Sequence, residues 1–273
     1  AIQNLINIES DDKIKAFIPV DSLKEQEYIE NNFVVMCSKN GVIKKTSLEA
    51  YSRPRTNGIN AITIREGDEL LEAKLTNGTD EILLAKRSGK ANEANVRPMG
   101  RNAAGVKGVT LENAEDEVIG MVTIRDFENE TIMVVSDNGY GKRSKVEDYR
   151  VTNRGGKGVK TLNITDKTGK LLAIKNVTDE NDMMIITKKG ITIRMKLSNV
   201  SVSGRATQGV RLINLKGTDA IAAVAKVMET EDEEELLEGV EGVENIEGIE
   251  KPSEDAPENT TDESNTEEND SEE

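Results

Sequence analysis

The sequence predicts an all-β, propeller-like pinwheel of four-stranded blades with an incomplete first blade and a disordered acidic tail. Three observations carry that prediction. One pattern recurs four times at a spacing of about 50 residues, each copy holds four strand-like runs, and the runs are too short to bury their apolar faces without neighbours. The copies read FVVMCSKNGVIKKTSLEAYSRPRTNGINAITI, EILLAKRSGKANEANVRPMGRNAAGVKGVTL, TIMVVSDNGYGKRSKVEDYRVTNRGGKGVKTLNI and DMMIITKKGITIRMKLSNVSVSGRATQGVRLINL. Turn glycines fall at Gly41, Gly89, Gly139 and Gly190, and second glycines at Gly58, Gly105, Gly158 and Gly209.

Each element follows in order. Residues 1–20 resemble the last two strands of an earlier repeat, so the chain is expected to begin inside a blade. The runs Phe33–Cys37, Glu81–Ala85, Thr131–Ser136 and Met183–Thr187 are short, rich in Val, Ile, Leu and Met, and predict buried first strands. SKNG, SDNG and KKG close them as hairpin turns. The second strands alternate, with Val42, Lys44 and Thr46 on one side and Ile43 and Lys45 on the other. Third strands are expected at Ile59–Ile64, Val106–Leu111, Val159–Ile164 and Val210–Leu215. Fourth strands are expected at Leu70–Leu75, Val118–Val122, Leu171–Ile174 and Ile221–Val227. The repeats therefore span about 31–75, 80–122, 130–177 and 181–227, within a domain of residues 1–227. Residues 228–273 hold too little apolar surface to offset ordering entropy and are expected to be disordered, with a short helix possible around Glu231–Glu238.

The net charge of −15 averages two unlike parts. From Glu229 to Glu273 there are 21 acids and one base, Lys251, which leaves 30 acids and 35 bases for the preceding body. Inside the body, segments 38–64, 86–111, 136–164 and 187–215 hold 24 Lys/Arg against 5 Asp/Glu, and the remainder holds 11 against 25. Stacking the repeats in register would align the basic halves into one stripe, the footprint of a polyanion binder.

VTNRGGKGVK at Val151–Lys160 is the sharpest local motif. Adjacent glycines let backbone approach a phosphate closely, while Arg154 and Lys157 supply charge; a basic loop whose glycines only serve a bulge is the plain alternative. RPRTNG (Arg53–Gly58), VRPMGRNAAG (Val96–Gly105) and SGRATQG (Ser203–Gly209) occupy the same repeat position. The chain has no GxxxxGK[ST] loop and no His, which removes P-loop nucleotide binding, His triads and His metal sites. EGDE, NAEDE and DENDM lack the ligand spacing of a Ca²⁺ loop and read as hairpin turns. With aromatics at 3% and no Trp, base stacking is disfavoured and contact with a duplex backbone is favoured. Tyr51 and Tyr149 match in position and read as packing residues. Cys37 stands alone, so no disulfide or cysteine cage forms within one chain, and it reads as a small buried side chain.

SRPRTNGINAI, VRPMGRNAAGVKGVTL, NGYGKRSKVEDY, NRGGKGVK and TQGVRLI together resemble the C-terminal domain of DNA gyrase A, of the type IIA topoisomerase family, over about residues 1–227. The resemblance implies a β-pinwheel whose basic edge binds and bends duplex DNA, so that the whole topoisomerase introduces negative supercoils with ATP. The paralogous topoisomerase IV domain is similar, and a propeller-like protein-interaction module is the alternative of another class. The family's QRRGGKG box has its nearest relative at Thr152–Gly158, TNRGGKG, and the second repeat is about three residues short at Lys90–Asn92. The candidate DNA contacts are Lys44, Lys45, Arg53, Arg55, Arg97, Arg101, Lys107, Lys142, Arg143, Arg154, Gly155, Gly156, Lys157, Gly158, Arg194, Arg205 and Arg211. The resemblance also implies no catalytic residue, metal or cofactor in this chain, the ATP and Mg²⁺ of the holoenzyme being bound elsewhere. Its implied partners are double-stranded DNA, the rest of the gyrase A protein and the gyrase B protein, in a bacterial cytoplasm at the nucleoid and away from membrane.

Overall fold

The computed structural model describes residues 12–150 and 153–228, all within the first of two compact units, 1–229 and 230–273. The expected disordered tail, its possible helix, and residues 151 and 152 of the glycine motif lie outside the described residues.

The described chain is nearly all-β. The first repeat supplies β1 (Phe33–Ser38), β2 (Val42–Ser47) and β3 (Leu70–Thr76). The second supplies β4 (Glu81–Lys86), β5 (Lys90–Glu93), β6 (Val106–Lys107) and β7 (Val118–Ile124). The third supplies β8 (Thr131–Ser136), β9 (Tyr140–Lys145), β10 (Val159–Lys160) and β11 (Leu171–Val177). The fourth supplies β12 (Asn181–Thr187), β13 (Thr192–Lys196), β14 (Val210–Arg211) and β15 (Ile221–Met228). A short helix, α1 (Gln26–Asn31), precedes them and buries Ile29.

The sheets are antiparallel, in the orders β3-β1-β2-β6, β10-β5-β4-β7, β11-β8-β9-β14 and β13-β12-β15. The third strand of each later repeat therefore pairs not with its own repeat but with the second strand of the preceding one. This corrects the expected blade membership. The ladders are also shorter than expected, two residues each, and Ile59–Ile64 forms no strand. Residues 12–20 likewise form no strand, although Ala16, Ile18 and Val20 pack against β1 and β3.

The cores lie between successive sheets, which explains why the first strands are apolar at nearly every position. Val35 and Cys37 of β1 face Ile82 and Leu84 of β4, while Leu83 and Ala85 of β4 face Ile132 and Val134 of β8. Met133 and Val135 of β8 face Met183 and Ile185 of β12. Val34 and Met36, on the opposite face of β1, are covered by Ile29 and Ala73. A strand buried on both faces loses the alternation of a half-exposed one. Cys37 is buried, as expected, and burial pushes its thiol far above the ordinary range.

Candidate nucleic-acid interface

The basic loops follow the second strand of each repeat, and those of the second, third and fourth repeats run to the donated strand and are laid on the preceding repeat. Met99 donates its N–H to the Lys45 carbonyl at 2.7 Å, and Ser203 donates to Arg143 at 2.8 Å. Parallel bridges join Lys45 to Pro98 and Arg143 to Val202. Consecutive loops are then linked by one recurring bond. Thr63 donates to Ala103 at 3.5 Å, Thr110 to Gly156 at 2.9 Å and Asn163 to Thr207 at 3.0 Å.

Lysines beneath the loops hold them in place. The Lys44 ammonium donates to the carbonyls of Ala61, at 2.5 Å, and Arg101. The Lys142 ammonium donates to the Gly204 carbonyl at 2.6 Å and to Ser144 Oγ at 2.9 Å. In the short second repeat Asn92 takes this position, its Nδ2 donating to Gly108 at 3.2 Å. Burial lowers the pKa of Lys44, with Arg101 adding to the effect, and burial lowers that of Lys45. Lys142 is pushed down to about 8 by burial and by Arg205, against an opposing pull from Asp148.

Four expected DNA contacts are corrected by these positions. Lys44, Lys45, Lys142 and Arg143 are 1%, 5%, 1% and 3% exposed, because the next repeat's loop covers the strand face that alternation leaves open to solvent. Lys45 donates to Gly78 at 3.2 Å and lies over the Phe33 ring; Arg143 pairs with Asp179 at 2.6 Å and donates to Leu197 at 2.8 Å. Their donors are turned inward. Gly155 and Gly158 pack on the preceding repeat: the Gly155 N–H donates to Gly108 at 2.6 Å, and Gly158 lies against the Ala91 carbonyl. The Gly156 carbonyl accepts from Thr110, while a Cβ there would meet Asn92 Oδ1.

The remaining candidates stand at the surface. Arg53, Arg55, Arg97, Lys107, Arg154 and Lys157 are exposed, whereas Arg101 and Arg205 are half-buried. Arg101, Arg154 and Arg205 share one repeat position, four residues before the second glycine. Their guanidiniums donate to the carbonyls of Asn60, Lys107 and Lys160 on the preceding donated segment. Arg97, Met99, Val106 and Arg154 line an open groove of about 1290 Å³. Arg211 is held on Tyr140, donating to its hydroxyl at 2.8 Å, and Arg194 pairs with Asp182 at 2.6 Å. Lys160, exposed and equivalent to Lys107 and Arg211, is absent from the sequence-based set although the repeat period points to it. Tyr51 and Tyr149 do pack: Tyr51 donates to Ala61 at 3.3 Å, and the Tyr149 hydroxyl meets Thr161 Oγ1. Among the described residues no cluster of three or more Cys, Asp or Glu is placed to hold a metal, and no helix is long and apolar enough to cross a membrane.

Three four-stranded antiparallel sheets and one of three strands, the four-stranded ones completed by exchanged strands and their arginine-bearing loops linked in series through backbone, define a propeller-type repeat domain among the described residues. The family model for the DNA gyrase C-terminal domain, beta-propeller, matches residues 32–77, 90–125, 130–178 and 181–228, and the chain belongs to that family. It is 40% identical over 217 residues to the A subunit of DNA gyrase from Staphylococcus aureus strain NCTC 8325, covering 78% of this chain and 24% of the relative. For strain MRSA252 the identity is 41% over the same length. The chain thus spans about a quarter of the curated relatives it matches. Among solved structures it is similar to the C-terminal domain of DNA topoisomerase IV, with a TM-score of 0.75 and 25% identity over 87% of this chain and 74% of that one. A DNA gyrase A C-terminal domain, at 21% identity, shares the fold with a TM-score of 0.71 over 83% of this chain and 74% of that one.

Proposed function

We propose that this chain binds duplex DNA along its linked loops and bends it, as the DNA-wrapping part of a gyrase A protein whose holoenzyme introduces negative supercoils with ATP. Double-stranded DNA, the rest of gyrase A and the gyrase B protein are its partners in that reading. The observation that carries it is the repeated placement of Arg101, Arg154 and Arg205. Each is tied by one bond to the preceding donated segment, and consecutive loops are joined through backbone. A guanidinium has five N–H donors, so the tie leaves others for a phosphate. Exposed Arg97, Lys107, Lys157 and Lys160 lie beside them. Bending a duplex over a small domain costs several kcal/mol by elastic estimates, which many distributed cations can offset and one cannot.

The reading predicts binding with little sequence preference, weakening steeply as salt rises, with about −0.9 in the slope of log K against log salt for each phosphate engaged. A gel-shift titration of plain duplex at two salt concentrations, paired with energy transfer between labelled duplex ends, reads both binding and bending. Salt-independent or absent binding favours a protein-interaction module and removes the proposal. The likeness to the topoisomerase IV domain supports a second reading within the family. The two part on whether bound DNA acquires writhe, read from the linking number of relaxed circles closed in the protein's presence.

A further inference from the structure

The last strand of each repeat, β3, β7, β11 or β15, stands at the end of its sheet. An end strand leaves one row of backbone N–H and C=O groups outside the ladder, and such groups need other partners where they are covered. Here side chains supply them from strand to strand. Glu72 of β3 accepts from the Met121 N–H of β7 at 3.0 Å, and Asn176 of β11 donates to the Thr123 carbonyl of β7 at 3.2 Å. Arg125, just beyond β7, donates to the Leu75 carbonyl of β3 at 3.3 Å.

These four strands converge on an open cavity of about 600 Å³, to which all of them contribute. Its charged lining is Glu72, Glu130, Lys74, Arg125, Lys175 and Lys226. Both acids are already engaged. Glu72 holds Met121 and pairs with Lys74 at 3.4 Å; Glu130 accepts from Asn176 at 2.9 Å and from the Arg125 backbone N–H at 3.2 Å. The Arg125 guanidinium pairs with Asp80 at 3.1 Å. Among the described residues, Lys175 and Lys226 have neither an ion-pair nor a hydrogen-bond partner.

The lysines are also placed by the repeat. Lys74 and Lys175 hold one register position of β3 and β11, opposite Val35 and Met133, each of which lies six residues before its turn glycine. Burial lowers the Lys74 pKa against the pull of Glu72, and the charge of Lys175 lowers it further. Two ammonium groups thus act on each other in a partly covered site, and an anion beside them relieves both.

We propose that this cavity is an anion site that takes a condensed phosphate chain through Lys175, Lys226 and Lys74. The two unpartnered ammoniums sit on different strands, so a polyvalent chain that spans them gains over a single small ion. Among the described residues no aromatic side chain lines the cavity, which favours a phosphate chain over a ring system. A duplex is too broad to enter a cavity of this volume, and none of the loop arginines lines it, so the site is separate from the linked loops.

The test is isothermal titration calorimetry of the whole chain with tripolyphosphate, at constant ionic strength and without DNA. One equivalent should bind, and Lys175→Gln and Lys226→Gln should each weaken binding about tenfold. Lys216→Gln, which removes an equal charge from an exposed turn, should change it little. Lys175 is half-buried and Lys226 exposed, and thermal melts without ligand verify that the variants stay folded. Orthophosphate should bind more weakly than tripolyphosphate; equal affinity would deny the site a polyvalent occupant. ATP carries the same phosphate chain, so binding of either supports the site, and the tighter of the two names its source as a nucleotide or a free condensed phosphate. Absence of binding overturns the proposal. Binding that both lysine variants leave unchanged, or that Lys216→Gln weakens equally, places the anion elsewhere and overturns it too.

Discussion

Replacing Lys142 by methionine isolates the cost of the ammonium that supports the fourth repeat's loop. In the folded chain that group is 1% exposed, donates to Gly204 and Ser144, and has its pKa pushed down to about 8 from 10.5. Below pH 8 the lysine is charged in both states and the desolvation cost is constant. Between the two values the folded lysine releases its proton while the unfolded one keeps it, so rising pH favours the fold. Across that window the wild type gains about 3 kcal/mol relative to Lys142→Met, with about 1 kcal/mol of it present by pH 9. Absolute stability at neutral pH is a poor readout, because the variant removes the burial cost but also two hydrogen bonds, at about 0.5–1.5 kcal/mol each, while Gly204 still accepts from Thr207 and Ser144 still donates to Ser203. The slope of the difference is free of that ambiguity. Urea denaturation of both proteins from about pH 7 to about pH 10 measures it, since Lys44, Lys45, Tyr149 and Cys37 are common to both and cancel. A difference that stays flat, or falls with pH, refutes the account of Lys142 as a buried charge.

Three further outcomes are expected. Gly209→Ala should cost more than about 3 kcal/mol, because it adds a collision with the Gly141 carbonyl to the strain of positive φ; Gly190→Ala should cost only the strain, about 1–2 kcal/mol. Equal costs in chemical denaturation would remove the packing argument for the exchanged strand. Arg154→Glu combined with Lys157→Glu should weaken duplex binding and flatten its salt slope by about 2, and unchanged affinity and bending in the gel-shift and energy-transfer assays would make this loop structural. Deleting residues 229–273, with their 21 acids, should tighten DNA binding by removing a tethered competitor. Equal affinity at matched salt would deny the tail that role.

The first strands were legible because burial between two sheets leaves a continuous apolar run, and their turns because Gly41, Gly89, Gly139 and Gly190 recur in step. Sheet membership was not legible. A donated strand such as Val106–Lys107 has a two-residue ladder, and its partner is fixed by packing against Ile43 rather than by anything local. The loop arginines followed from the repeat position, as Lys160 would have done. Lys44 and Lys142 misled for a definable reason: an alternating strand implies one wet face, and here the following repeat's loop dries it. The short second repeat proved a trimmed strand, β5 running four residues where β2 and β9 run six, with Asn92 replacing the lysine. The helix α1 carried too little periodicity in six residues to be read.

The basic positions fall into two sets with different work. Lys44, Lys45, Lys142 and Arg143, three and four residues after a turn glycine, lie under the following repeat's loop; those around the second glycine stand on the loop itself. Arg143, Arg194 and Lys86 meet the carboxylates of Asp179, Asp182 and Glu112, so much of their charge is cancelled locally. The hydrogen bonds of Lys44 and Lys142 go instead to carbonyls and a hydroxyl. Carbonyl dipoles anchor an ammonium without neutralising it, so these lysines fix the loops while adding to the positive field above them. The loops of the second and fourth repeats are held by the preceding repeat through a lysine beneath, a backbone bridge and an arginine tie, and that of the third through the Gly155 N–H on Gly108 and the Arg154 tie. The spacing of surface cations is then inherited from the spacing of the sheets, which the buried cores set. A loop free to move would spread its charge over many positions and spend entropy on each contact; loops stapled to rigid sheets present theirs in place.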